Sequence, residues 1–346
     1  ITAAGIAGVI KTLESFRHDV IPAHRKVETL NMELQQSKFR LPQENVDWNT
    51  SQVKRVGVSA FGFGGNNAHL IIDGWAESTY VPAASTLSPN NRSQSVAIVA
   101  VDASVGACID LGQVRRGLET GDWASLQAPV REVTLDSAWV KFPPNDLAQS
   151  LPQQNLLLRL AQSCSEQCDW DHTRTGVWVG MGTDVNVCRY GARWRVAEWG
   201  ERLGFEVDEM LQQKMVAPLQ SAGVLGCMPN IPANRLNSQL DCQGASGTVS
   251  AEEGSSLMAL QLAINALQRQ EIDVAIVAAV DCATNPLHVA CKSIVQNAPV
   301  TGLDGAAMVV LKRLDEVQPK DVLAYLQVAD KGQLVTEPVQ TGVIEC

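Results

Sequence analysis

The run Gly244-Ala-Ser-Gly-Thr-Val-Ser-Ala-Glu-Glu-Gly-Ser-Ser-Leu257 passes from turn-forming residues into a helix. Downstream, Leu257, Leu260, Ile264 and Leu267 recur at helical spacing and mark one apolar face, while Gln261, Asn265, Gln268 and Arg269 point elsewhere. A continuous apolar strand follows at 273–280 (DVAIVAAV). This order of turn, helix and strand puts Glu252 and Glu253 at a helix N-terminus, where unpaired amides and the helix dipole favour an anion. Taken by themselves, two glutamates in that place read as ordinary helix-end stabilisers, each contributing about 0.3–1 kcal/mol.

Three more runs have the character of strands buried on both faces: 96–101 (VAIVAV), 176–181 (GVWVGM) and 306–312 (AAMVVLK). Helical segments are expected between them, around 147–164, 192–215 and 254–269. Buried strands alternating with helices predict an α/β sheet with helices on its faces. The N-terminal part reads differently. Residues 3–17 carry a helical stripe of Ile6, Val9, Ile10, Leu13 and Phe16, with Ala3, Ala4, Gly5, Ala7 and Gly8 small enough for close approach to a sheet. Residues 19–54 read as a long surface connection. Two short strands at 56–61 and 69–73 then flank the turn Gly62-Phe63-Gly64-Gly65-Asn66-Asn67, whose glycines and asparagines reach positive φ. Polar and Pro-containing text at 78–95 marks a linker, dividing the chain into 1–77 and 96–346.

Composition narrows the function classes. Lys plus Arg number 27 against 37 Asp plus Glu, a net charge of −10, which argues against a nucleic-acid or anionic-membrane binder. No apolar run approaches the ~20 residues that span a bilayer. The nine cysteines lack framework spacing and read as free thiols of a cytoplasmic protein. Cys282, His288 and Cys291 have the right side chains for a metal but lack a fourth ligand and close pairs, so no metal site is expected. The glycines at 62–65 do not form a dinucleotide loop, because a strand rather than a helix follows and the spacing is wrong. The chain opens on Ile1 in text that already looks helical, and it reads as part of a longer polypeptide.

The 244–257 run resembles the nucleophile turn of the β-ketoacyl synthases, thiolase-fold condensing enzymes with the pattern GPS-x-x-V-D-T-A-C-S-S-S-L. Ile231-Pro-Ala-Asn-Arg-Leu236, Glu271-Ile-Asp-Val-Ala-Ile276 and Asp304-Gly-Ala-Ala-Met-Val-Val-Leu-Lys-Arg-Leu314 resemble its neighbouring segments. The resemblance covers most of 93–315. Glu253 stands at the family's cysteine, within a turn formed by Ala251, Glu252, Glu253, Gly254 and Ser255. A glutamate cannot form the thioester that condensation requires. None of the five histidines matches the family's catalytic pair, so condensation by 93–346 alone is not expected. Cysteine-less synthases of this kind are chain length factors, and Val249-Ser-Ala-Glu-Glu253 resembles the chain-length-factor domain of polyunsaturated fatty acid synthases.

Ile1–Lys11 resembles the helix after the catalytic histidine of an upstream ketosynthase. Val58-Ser-Ala-Phe-Gly-Phe-Gly-Gly-Asn-Asn-Ala-His69 resembles that family's V-S-S-F-G-F-G-G-T-N-A-H. The resemblance implies that Phe63 gates the acyl pocket and that Gly62, Gly64 and Gly65 admit the substrate, with Asn66 replacing the usual threonine and His69 structural. It implies a layered αβαβα thiolase arrangement, present as partial halves of two consecutive ketosynthase-type domains. No cofactor would bind directly; the phosphopantetheine arm of acyl carrier protein would carry the acyl chain. Expected partners are acyl carrier protein and a ketosynthase or other domain of the same synthase, in a dimer. Two further readings stay open: malonyl-carrier decarboxylation through Glu253, and a purely structural scaffold.

Overall fold

Strand and helix order follows from where apolar runs are continuous and where Pro, Gly and capping side chains interrupt them. The computed structural model describes residues 3–24, 27–50, 52–62, 67–75, 95–215, 218–328 and 334–337. It divides into two compact units, Ile1–Thr86 and Leu87–Cys346. Apart from Ser95, the expected linker from residue 78 to 95 lies outside the described residues.

The first unit contains α1 (Ala4–His18), β1 (Val20–Ile21), α2 (Met32–Gln35), β2 (Val46–Asp47), β3 (Arg55–Phe61) and β4 (Asn67–Asp73). Strands β3 and β4 form an antiparallel hairpin from Arg55↔Asp73 to Phe61↔Asn67. The expected surface connection at 19–54 instead holds a short antiparallel β1–β2 pair and the one-turn α2. Helix α1 packs on β3, but not through its apolar stripe. A Cβ on Gly8 would lie 2.9 Å from Val58 Cγ1 and one on Gly5 would lie 3.2 Å from Ala60 Cβ. Thr12 and Ser15 continue that face and are buried, whereas Ile6, Ile10 and Leu13 are more than half exposed. Close approach governs the contact: the glycine ridge sits on the hairpin and carries the apolar stripe outward.

The second unit contains β5 (Val96–Val105), α3 (Leu111–Thr120), α4 (Trp123–Leu126), α5 (Pro144–Ala148), α6 (Pro152–Gln167), β6 (Thr175–Gly180), α7 (Cys188–Leu203), α8 (Glu209–Met215), α9 (Ser221–Cys227) and α10 (Ile231–Leu240). It continues with β7 (Ser246–Val249), α11 (Ser255–Gln268), β8 (Val274–Cys282), α12 (Pro286–Gln296), β9 (Asp304–Arg313), β10 (Ala324–Val328) and β11 (Leu334–Glu337). The strands form one mixed sheet in the order β11-β10-β5-β9-β8-β6-β7. Strand β6 runs parallel to β7 and β8, and the other pairs are antiparallel. The two longest expected helical segments are each broken: 147–164 at Leu151-Pro152, and 192–215 between α7 and α8. Pro152 opens the first turn of α6, where its missing N–H costs nothing.

Alternation along β6 and β8 splits the core into two layers. Val177, Val179, Ile276 and Ala278 join α6 and α10 on one face, while Trp178, Ala275 and Val277 meet α11 on the other. Strand β6 is buried along its whole length, as its uninterrupted apolar sequence required.

At the start of β8, Asp273 is clamped by Arg174 (Nε–Oδ2 2.5 Å) and by Arg313 (Nη2–Oδ1 2.6 Å). The Arg313 side chain is only 5% exposed and also donates to the carbonyls of Leu267 and Ile272. Hydrogen bonding from Arg174 first, then from Arg313 and their charges, pulls the Asp273 carboxyl down to about 2 against an opposing burial effect. Because the folded value is depressed, this stabilisation is present above the ordinary aspartate range and is lost as pH falls toward 2. Urea unfolding from pH 7 to pH 2 is expected to show that loss in the wild type and a flatter acid limb in D273N. The variant should also be weaker at neutral pH by about 1–3 kcal/mol, since the buried Arg313 loses one of its two carboxylate partners.

Candidate functional site

The parallel strands β7, β6 and β8 end together at one edge of the sheet, and the turn after β7 lies there. A Cβ on Gly180, the last residue of β6, would lie 2.7 Å from the backbone N and Cα of Ser256. Only glycine lets α11 begin directly against the strand end. The turn itself is tied by Ser255, which is buried: the Ala251 amide donates to its hydroxyl (2.9 Å), and that hydroxyl donates to the Glu252 carbonyl (2.6 Å). Gly254 N donates to Ala251 O and Ser255 N to Glu252 O. These bonds hold Glu252 at φ 49°, a left-handed conformation that costs a non-glycine residue of order 1–3 kcal/mol.

Helix α11 starts at Ser255 with Gly254 as its N-cap, and no acidic residue lies in its first turn. Glu252 and Glu253 therefore precede the helix rather than stabilise its first turn, correcting the expectation from sequence. Leu257 is also displaced from the expected apolar face. It is 62% exposed, and the packed face is Ala259, Ala263, Ile264, Ala266 and Leu267.

Glu253 projects outward and pairs with Lys292 of α12 (Oε1–Nζ 3.6 Å). Its own backbone N–H, followed by the Lys292 charge, holds its carboxyl below the usual glutamate range. Lys292 lies 39 positions downstream, and nothing in its local sequence marks it as this partner. Asp281, at the end of β8, completes the charged edge. It is exposed, yet desolvation by the surrounding protein pushes its carboxyl up, assisted by Asp184 and opposed by His288 and Lys292. Asp184 is buried and accepts a hydrogen bond from Gln153. His288 carries a buried Nε2 with no hydrogen-bond partner among the described residues.

The other expected groups are placed apart from this edge or outside the described residues. Phe63, Gly64, Gly65 and Asn66 lie outside them, and Gly62 follows the end of β3. His69 on β4 faces Ser59 (Nδ1–Oγ 2.9 Å). Cys282 is buried and Cys291 exposed, and among the described residues no group of three His, Cys, Asp or Glu comes together to hold a metal. Burial pushes the Cys164 and Cys242 thiols up to about 12 and raises those of Cys168, Cys227 and Cys282. Among the described residues, no helix is long and apolar enough to cross a membrane.

The family model "Beta-ketoacyl synthase, N-terminal domain" matches residues 115–299, more than half of the chain, and "Ketoacyl-synthetase C-terminal extension" matches 30–109. A polyunsaturated fatty acid synthase polypeptide from a Thraustochytrium species is 25% identical over 319 residues, covering 81% of this chain and 15% of that relative. The solved structure of the PfaC keto synthase–chain length factor superposes with a TM-score of 0.74 at 22% identity, covering 94% of this chain and 40% of that one. A type II polyketide acyl carrier protein in complex with its ketosynthase, AntDE:AntF, matches with a TM-score of 0.50 at 16% identity, over 68% of this chain and 67% of that chain. The fold is thus thiolase-like, and the chain spans well under half the length of the first two of these proteins.

The raised Asp281 carboxyl has a consequence that can be measured. A carboxyl whose folded value is raised stabilises the fold below the ordinary aspartate range, and that contribution is lost as pH rises through the folded value. Thermal unfolding of D281N is therefore expected to match or exceed wild type at pH 8 and to fall to or below it near pH 4.

Proposed function

The chain belongs to the beta-ketoacyl synthase family, and on that footing we propose that residues 96–346 form a non-condensing, chain-length-factor-type domain of a fatty acid or polyketide synthase. In this reading the parent protein extends acyl chains, held on the phosphopantetheine arm of acyl carrier protein, by decarboxylative condensation with malonyl units. The domain shapes the acyl tunnel beside a condensing ketosynthase. Phe63, in the first unit, gates the acyl pocket of that ketosynthase.

The carrying observation is the ionised Glu253 at the end of the β7 turn, paired with Lys292. Acyl transfer needs a nucleophile that accepts the chain as a thioester, activated by lowering its thiol pKa. A carboxylate paired with an ammonium cannot form that thioester. The cysteines whose thiols burial raises are pushed away from the reactive thiolate form.

Support for a partner domain comes from the sheet edge. Among the described residues, strand β7 pairs with β6 on one side and is terminal in the sheet, and Leu257, Met258 and Leu262 on the adjoining α11 are 41–62% exposed. An open strand edge flanked by exposed aliphatic side chains favours covering by another folded domain.

Intact-mass analysis after incubation with an acyl-phosphopantetheine thioester tests the reading. No acyl adduct is expected on wild-type residues 96–346, and E253C is expected to gain one at the substituted position. An adduct within that region of the wild type would overturn the proposal. Malonyl-carrier decarboxylation by wild type that disappears in E253A would replace it with the decarboxylase reading.

A further inference from the structure

Strands β8 and β9 are antiparallel neighbours whose last paired residues are Cys282 and Asp304. Neighbours of that kind can be joined by a two-residue turn. The sheet therefore has no topological need for residues 283–303, the excursion that carries α12. That excursion is pinned at its neck. Ala283 N donates to Leu303 O (3.1 Å), and a Cβ on Gly302 would lie 1.8 Å from the Ala283 carbonyl oxygen. Only glycine lets the two arms of the neck close. The buried Asp304 carboxylate accepts from Thr284 N (2.8 Å), from the Thr284 hydroxyl (2.7 Å) and from Val130 N (2.9 Å). Asn285 then caps α12 by accepting from Leu287 N (2.9 Å).

Beyond the neck the hold is slight. No residue of α12 is buried, whereas α6 and α11 are built into the two core layers. Ile294 and Val295, near the end of α12, are 80% and 84% exposed, so apolar burial does not hold that end. Leu287, His288 and Lys292 are half-buried, and the helix rests against the single turn Val185–Val187. Its polar tie to the turn after β7 is the 3.6 Å pair of Lys292 with Glu253. Asp281, exposed at the end of β8, also attracts Lys292. A segment held by few buried contacts opens at low free-energy cost, and a single ion pair then shifts the balance between its positions.

We propose that residues 285–301 form a strap, hinged at Ala283 and Gly302 and latched onto the turn after β7 by Lys292 on Glu253. Loss of the latch swings α12 away from the turn and leaves β8 and β9 paired. This device goes beyond the role proposed for the domain and does not depend on it.

Hydrogen exchange of the full chain, read by mass spectrometry, tests the strap against β8 and β9 as internal references. In the wild type, 285–301 should exchange faster than either strand yet keep measurable protection. E253Q, a change at an exposed side chain, should speed exchange of 285–301 by about twofold to fivefold, the range that an exposed ion pair supports, with both strands unchanged. K292M should do so at least as strongly, because it also removes the attraction to Asp281. The charge-reversed E253K/K292E should recover part of the protection. Raising the salt to about 1 M should speed exchange of this segment in the wild type more than in E253Q. The proposal is overturned if both single variants exchange as wild type does, or if charge reversal recovers nothing. It is equally overturned if 285–301 opens only together with β8 and β9, or if salt acts alike on wild type and E253Q.

Discussion

Close contact between the end of β6 and the start of α11 sets the geometry on which everything at the sheet edge depends. With no side chain on Gly180, the helix begins against the strand, and the chain leaving β7 has only a few residues in which to reverse. That short path accounts for the left-handed Glu252, the Ser255 hydroxyl that ties the turn, and the outward direction of Glu253. Strand β8, parallel to β6, ends at the same edge and delivers α12 with Lys292 to the neighbourhood of that carboxylate. One backbone contact therefore places an ion pair where, in the proposed role, a condensing enzyme would carry its acyl acceptor.

The energetics on either side of the sheet differ in kind. The body of the sheet is held by side chains buried on both faces of β6 and β8, and at its margin the buried Arg313 is engaged by Asp273 and Glu316. At the edge, by contrast, charges remain partly hydrated and interact across exposed surface. Asp281 is pushed toward protonation while Glu253, in the same region, is held ionised. Buried ion pairs are costly to break and exposed ones contribute little to stability. The edge can therefore change its residues without unfolding the sheet, and a glutamate can stand in its turn at small cost to the fold.

Much of this was legible in the residues, and the failures have physical reasons. The four apolar runs became β5, β6, β8 and β9, because a strand buried on both faces leaves no polar alternation to confuse the reading. Strand β7 has only Ser246–Val249 and no apolar run, so the residues do not announce it. The apolar runs do not point to α3, although Asp110 and Gln113 form its cap, or to α12, although Asn285-Pro286 opens it. In α1 the small residues indicate close approach to a sheet, and Gly5 and Gly8 make that approach against β3, while Ile6, Ile10 and Leu13 of the apolar stripe remain exposed. The turn carrying Glu253 was recognised, but its partner Lys292 is brought near only by the parallel register of β6 and β8.

The central claim is that Glu253 stands at the turn as a lysine-paired carboxylate whose protonation is disfavoured. Carbon-13 NMR titration of the Glu253 side-chain carboxyl in the full chain addresses it most directly. The account requires a midpoint below the ordinary glutamate range that moves up toward it in K292M. A midpoint at or above that range, or one indifferent to the loss of Lys292, would contradict it.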